Sequence, residues 1–235
     1  MVSKSLSNSL RLLSAELFVI VAGVLIALAI DEWRQNIENE DLEHEYVQQL
    51  IIDLRATEES VTKSETHASA GNESLSKLVD AFKTDESIDS DQLFDLIYAS
   101  SSLNNPVPIL GTIDTLVATG DLRLIRDSRT RSAVIQYLSY ARNYLITPIY
   151  DAEERFGDNF HQLLTLAAAD GMVYSEGQYG LSRNIEPNVE AFLANRQAYV
   201  IVLQMIDLRG HFTWHRDQLY VTAKELRERL EIGSN

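Results

Sequence analysis

No cysteine occurs among the 235 residues, so disulfides and thiolate metal sites are closed to this chain. Four prolines and ten glycines are too few to punctuate a sheet protein, whose hairpins need frequent turn residues. Positive charge is also scarce. Against 35 Asp and Glu there are 20 Lys and Arg, a formal net charge of −15 that repels phosphate backbones and excludes nucleic acid as a partner of the whole molecule. There is no Gly-rich phosphate loop, no G-x-S-x-G elbow, no internal repeat and no low-complexity tract. What remains is ordinary for a globular protein, 45% hydrophobic and 23% charged, which excludes wholesale disorder. Few breakers and long amphipathic stretches predict an all-α chain.

One apolar run stands out. From Leu12 to Ile30 the sequence reads LLSAELFVIVAGVLIALAI, with Glu16 as its only charge. At about 1.5 Å per residue this run reaches roughly 28 Å, close to the hydrocarbon thickness of a bilayer. Lys4 and Arg11 precede it, whereas Asp31 and Glu32 follow, with Arg34 the nearby base. The positive-inside rule then places the N-terminus in the cytoplasm of a bacterium and the rest outside its inner membrane, with Trp33 as the interfacial anchor. Two other readings compete: a signal peptide cleaved after Ala29, suggested by Ala27-Leu28-Ala29, and a buried soluble helix. The expected organisation is a cytoplasmic N-terminus over 1–11, a transmembrane helix over 12–30, an acidic helical stalk over 31–83 that joins the bundle, and a helical extracytoplasmic domain over 84–235.

At 100° per residue Glu16, Ile20, Gly23, Ala27 and Ile30 share one helix face, and Gly23 and Ala27 form a small-xxx-small pair. This stripe is expected to dock on another transmembrane helix, with Glu16 pairing across the interface because an isolated carboxylate in hydrocarbon is costly. The bland alternative is a Glu16 that snorkels to the nearby interface.

Beyond Trp33 the helical pattern continues through Leu42, Tyr46, Val47, Leu50, Ile51, Leu54 and Val61, weakening near Ser69-Ala70-Gly71-Asn72. The acidic residues of this stretch, Glu38, Glu40, Asp41, Glu43, Glu45, Asp53 and Glu58, read as a solvated face. Asp89-Ser90 signals a helix start; Thr112 opens another, which Gly120 ends. Residues 104–108, rich in Asn and Pro, form a loop. Asp127-Ser128 begins a helix through Tyr144 that Pro148 interrupts; Gly171 to Pro187 reads as a loop, and one last long helix follows Pro187, with Gly210 a candidate bend. The architecture expected is an N-terminal transmembrane helix continuing into an antiparallel helical bundle.

Two blocks carry a resemblance. Glu16-Leu17 with Gly23-Val24-Leu25-Ile26-Ala27-Leu28-Ala29-Ile30-Asp31-Glu32-Trp33 is the first; Thr115-Leu116, Gly120-Asp121-Leu122, Leu124-Ile125-Arg126-Asp127 and a helix with Tyr137 is the second. Together they resemble an uncharacterised bacterial family of single-pass membrane proteins, a domain of unknown function. The chain departs from that pattern in having Asp31-Glu32 where amides are expected and a shorter Thr-to-Leu spacing. The resemblance implies an uncleaved anchor and a helical outer domain, and no activity.

Three constellations bear on chemistry. Asp207, His211 and His215 lie four apart on one helix face, a spacing able to ligate a divalent metal, though no HExxH accompanies them. Arg123, Arg126, Arg129 and Arg131 cluster beside a helix start, where an anion could bind, unless they pair with acidic neighbours. Asp151, Glu153 and Glu154 diverge around a helix and make a poor acid–base pair. The expectation is therefore a non-enzymatic, cofactor-free accessory or structural subunit, associating with the lipid bilayer and with other transmembrane helices, its own copy included. The alternatives are a small-molecule sensor acting through a separate signalling partner, since about ten residues precede the span, and a hydrolase using a metal on His211 and His215.

Overall fold

The first helix, α1, begins at Ser3 and does not end until Lys83. Its length follows from composition, because the first proline of the chain is Pro106. The computed structural model describes the backbone of residues 3–84, 87–146, 148–167, 172–175, 178–181 and 188–233, and their side chains except at 3–17, 19–20, 144–146, 148–150, 172–175 and 178–181. The expected weakening at Ser69–Asn72 does not occur: the helix passes through Gly71 unbroken, for a packing reason given below.

Further helices follow: α2 (Ser90–Ser100), α3 (Gly111–Thr119), α4 (Ser128–Ile146), α5 (Pro148–Ala167), α6 (Val189–Leu193) and α7 (Arg196–Gly233). Local chemistry sets most boundaries. Asp89 and Gln92 close a reciprocal capping box at the start of α2. Gly120 ends α3 in the left-handed region at φ 79°, where a Cβ is disfavoured, and a 3-10 turn over Asp121–Leu124 follows. Pro148 separates α4 from α5 by opening the second helix, where its missing N–H costs nothing.

Two expectations need correction. The segment from Gly171 to Pro187 is not all loop, since Met172–Ser175 (β1) and Gln178–Leu181 (β2) pair antiparallel, with Met172 opposite Leu181. Nor does a single long helix follow Pro187, which itself lies outside the described residues. The chain breaks at Ala194–Asn195, because the Asn195 side chain accepts from the N–H groups of Gln197 and Ala198 and caps α7. Gly210 does not interrupt α7.

The C-terminal half of α1 packs antiparallel along α7, and α2, α4 and α5 complete the bundle around them. One row of buried positions on α7 runs Ala198, Val202, Met205, Arg209, Phe212, Arg216, Leu219, Ala223, Leu226, Leu230, with Ile201 and Leu208 buried beside it. On α1 the facing seam is Leu50, Leu54, Thr57, Val61, Ser64, Ala68, Gly71, Leu75, Leu78. Strictly alternating steps of four and three make a 3.5-residue repeat, which keeps two helices in register over a long overlap. At the far end Arg227 forks onto Glu58 (Nε to Oε1 2.6 Å, Nη2 to Oε2 3.3 Å) and reaches Glu231, which also receives Arg55. Glu58 and the buried Asp53 therefore leave the solvated acidic face expected for this stretch; Glu38, Glu40, Asp41 and Glu45 stay exposed.

Toward its N-terminus α1 leaves the bundle. Phe18 is 74% exposed, Leu25 61% and Trp33 67%, and Val21, Val24, Ile26, Leu28 and Ile30 are open as well. Among the described residues no helix is long and apolar enough to cross a membrane. Most of the first half of the Leu12–Ile30 run, Glu16 and Ile20 included, has side chains outside the described residues.

Candidate functional site

The polar groups buried between the helices gather along one face of α1. The chain from Ser102 to Leu110 lies against that face without regular structure, and the first turn of α3 follows it, so the backbone groups of both need partners. Side chains of α1 supply them in turn. Asp53 accepts from the Thr112 N–H at 3.0 Å, Thr57 from the Ile109 N–H at 2.9 Å, and Ser60 from the Val107 N–H at 3.2 Å. Further along, the Ser64 hydroxyl donates to the Asn104 carbonyl, and the Ser102 hydroxyl donates to the His67 carbonyl at 3.2 Å. Asp53 thus caps α3 from another helix; the residue at the cap position, Leu110, has no side chain able to do so. Tyr137 leans on the same ladder through Thr57, and burial pushes its phenol up to about 12. Asp53→Ala is expected to lower unfolding free energy by about 1–3 kcal/mol, the cost of a buried donor left without an acceptor. Chemical denaturation measures it, and an unchanged midpoint would remove the ladder from the account of this fold.

Arg209 closes the other side of this strip. Only 4% exposed, it comes from a core position of α7. Its Nη2 donates to the carbonyls of Ser100 (2.6 Å) and Ser102 (2.7 Å), and its Nη1 to the Ala68 carbonyl and Asn72 Oδ1, both at 3.3 Å. The guanidinium lies over the Phe156 ring, 5.2 Å from its centre. All four acceptors are neutral, and burial holds the guanidinium pKa down to about 10. Two accepting carbonyls stand at the C-terminus of α2, the negative end of its dipole. Room for the fork comes from Gly71: a Cβ there would lie 2.2 Å from Arg209 Nη2. Arg216, one heptad later and 6% exposed, is the second buried cation; its Nε lies 4.0 Å from Asp217 Oδ1, a carboxylate that faces solvent. Neither arginine was singled out by motif. The legible signal is their spacing, seven apart within a seam that is otherwise apolar.

The residues expected to carry function fare differently. Asp207 and His211 are exposed and 3.9 Å apart, while His215 turns into the bundle, where the Tyr140 hydroxyl donates to its carbonyl at 3.1 Å and Trp214 packs edge-on against its ring. Burial, then His211, holds the His215 imidazole below its ordinary range. Among the described residues no three His, Cys, Asp or Glu side chains come together to hold a metal ion. Four-residue spacing places Asp207, His211 and His215 on one face, but among the described residues they do not form a group of three able to hold a metal, and His215 is partly buried.

The arginine cluster is likewise divided. Arg126 pairs with Glu40 (2.6 Å) and Glu43 (3.4 Å) and donates to the Asn36 carbonyl, clamping the loop to α1. Arg131 donates to the Ile125 and Arg126 carbonyls, while Arg123 and Arg129 are exposed. The start of α4 is already occupied, because Asp127 accepts from the Thr130 hydroxyl and the Thr130 and Arg129 N–H groups, which hold its carboxyl below the ordinary range. Asp127 thus takes the place an anion would have at these N–H groups, while an open cleft lined by Ser128, Arg129, Ser132 and Arg229 lies beside the first turns of α4. Glu153 accepts a hydrogen bond from the Asn105 amide, a structural role. Of the expected docking stripe, Gly23, Ala27 and Ile30 are exposed, and a Cβ on Gly23 would meet nothing within 4 Å.

No protein-family model, no curated protein and no solved structure matches this chain. The resemblance to a single-pass membrane family rests on the two sequence blocks alone.

Proposed function

We propose that this chain is a single-pass protein of a bacterial inner membrane, its N-terminus cytoplasmic and its bundle outside, that serves without catalysis as an accessory or structural subunit. The observation behind this reading is the uncovered end of α1. Phe18, Val21, Val24, Leu25, Ile26 and Leu28 are bulky and exposed, and at 100° per residue they cover the side of the helix away from the small-residue face, on which Ile30 is exposed as well. A helix apolar around nearly its whole circumference calls for lipid or protein cover. Charge supports the orientation, since Lys4 and Arg11 precede the run and Asp31 and Glu32 follow it.

The narrow face is where association occurs. Gly23 and Ala27 let a second helix approach closely, and Glu16 pairs across that contact. The partner is another transmembrane helix, either of a second copy or of a membrane complex. Extraction in mild detergent followed by native mass measurement tests this. An oligomer or complex is expected, and Gly23→Leu with Ala27→Leu should dissociate it while leaving the outer bundle folded. A strict monomer would overturn the association, and an oligomer indifferent to both substitutions would move it elsewhere.

A further inference from the structure

We infer that the bundle holds one chloride-sized anion between Arg209 and Arg216. The two arginines line the same small cavity, together with Asn72, Asn104, Asn105 and Thr213. Each guanidinium has an Nε–H that is buried and meets no acceptor among the described residues. Four of the five N–H groups of Arg209 are satisfied, all by neutral oxygens, so hydrogen bonding is nearly complete while its charge is unanswered. Arg216 has Asp217 at 4.0 Å, and that carboxylate is 60% exposed. Among the described residues no carboxylate forms an ion pair with Arg209, and Glu153, which accepts the Asn105 amide, pairs with neither arginine. Two cations are therefore taken out of water with almost no compensating charge, an arrangement that is costly unless an anion joins them.

Size narrows the choice. The cavity measures about 10 Å3, the room needed for one water-sized sphere. A phosphate, sulfate or metabolite carboxylate does not fit, whereas a single-atom ion needs only a small outward movement of the Asn104–Asn105 loop. Water would fit as well, but it accepts from only two donors, carries no charge and leaves both guanidinium charges unanswered. A halide accepts from every direction. Its binding is local and opposes the net charge of −15 on the chain, so it should be weak and saturate in the millimolar range. This site is independent of how the N-terminal helix is anchored.

The test is thermal unfolding of the full chain in detergent, in sodium chloride against sodium gluconate at equal ionic strength. Gluconate is too large to enter. Chloride is expected to raise the midpoint by about 3–6 °C in a saturable manner, as any ligand binding only the folded state does. Thr213→Leu, which fills the cavity, and Arg216→Gln, which removes one cation, should each abolish the chloride effect. Line broadening in the 35Cl magnetic resonance spectrum gives a readout that needs no variant: the wild-type chain should broaden the signal, and added bromide should reverse it. Equal midpoints in the two salts and no broadening would mean that water alone occupies the site and overturn the proposal. A chloride effect that survives in Thr213→Leu would place the ion elsewhere, with the same result.

Discussion

Arg209→Ala should destabilise the bundle by about 2–4 kcal/mol, lowering its melting temperature by about 5–15 °C. The Ser100 and Ser102 carbonyls lie past the last hydrogen bonds of α2, and the guanidinium is their donor at 2.6 and 2.7 Å. Removing it strands acceptors that are shut off from water and opens a void beside Phe156. An opposing effect exists, because taking away a buried cation relieves its desolvation. Arg209→Met separates the two by keeping most of the volume while deleting charge and donors. If the lost hydrogen bonds dominate, Met is destabilised almost as much as Ala; a Met variant as stable as wild type would show that desolvation wins. Gly71 supplies an internal control. Gly71→Ala in the wild-type background sets a Cβ 2.2 Å from Arg209 Nη2, and the fork cannot retreat because four hydrogen bonds hold it. With Arg209→Ala already present the clash is gone, and the same change should stabilise the helix by up to about 1 kcal/mol through propensity. That reversal of sign, measured as a double-mutant cycle, tests whether the two residues form one unit.

The second large effect concerns localisation. Val21→Arg combined with Leu25→Arg should move the chain out of the carbonate-resistant membrane fraction. Each arginine near the middle of a span costs about 2.5–3.5 kcal/mol for insertion, so the pair lowers the insertion equilibrium constant by a factor on the order of 10^4. Ile52→Arg is the control: Ile52 is also exposed, but on the bundle, and nothing should change. A reporter fused at Asn235 should be active outside the cytoplasm in the wild type and lose that activity in the double variant. Wild-type protein found wholly in the soluble fraction, or a double variant still embedded, would defeat the anchor.

Much of the helical architecture could be read from residue order because its causes are local. Asp89 with Gln92, Gly120 after α3, Asp127 before α4 and Pro148 between α4 and α5 act over three or four residues, and the structure places helix ends at each. Where the reading failed, the cause was not local. Gly71 in a Ser-Ala-Gly-Asn stretch has the composition of a helix end, yet tertiary packing overrides it, since the missing side chain is filled from α7. Asp53 has the pattern of a solvated acid, but it is buried because α3 begins beside it without a cap of its own. Asn195 sits inside a strong apolar period that hides its role as a cap, although capping is one that asparagine takes readily.

The candidate sites divide in the same way. One face holding Asp207, His211 and His215 follows from helical geometry; whether three side chains converge depends on what packs around them, and here Asp207 and His211 stay exposed while His215 is partly buried. Sequence alone determined the helical character, the starts of α2 and α4, the Gly120 end of α3, the acidic balance and the apolar run from Leu12 to Ile30, because each depends on composition or on neighbours within a turn or two. Only the tertiary structure decided that Arg209 and Arg216 are interior, since burying a guanidinium requires carbonyls, a glycine and an aromatic ring brought from four separate segments.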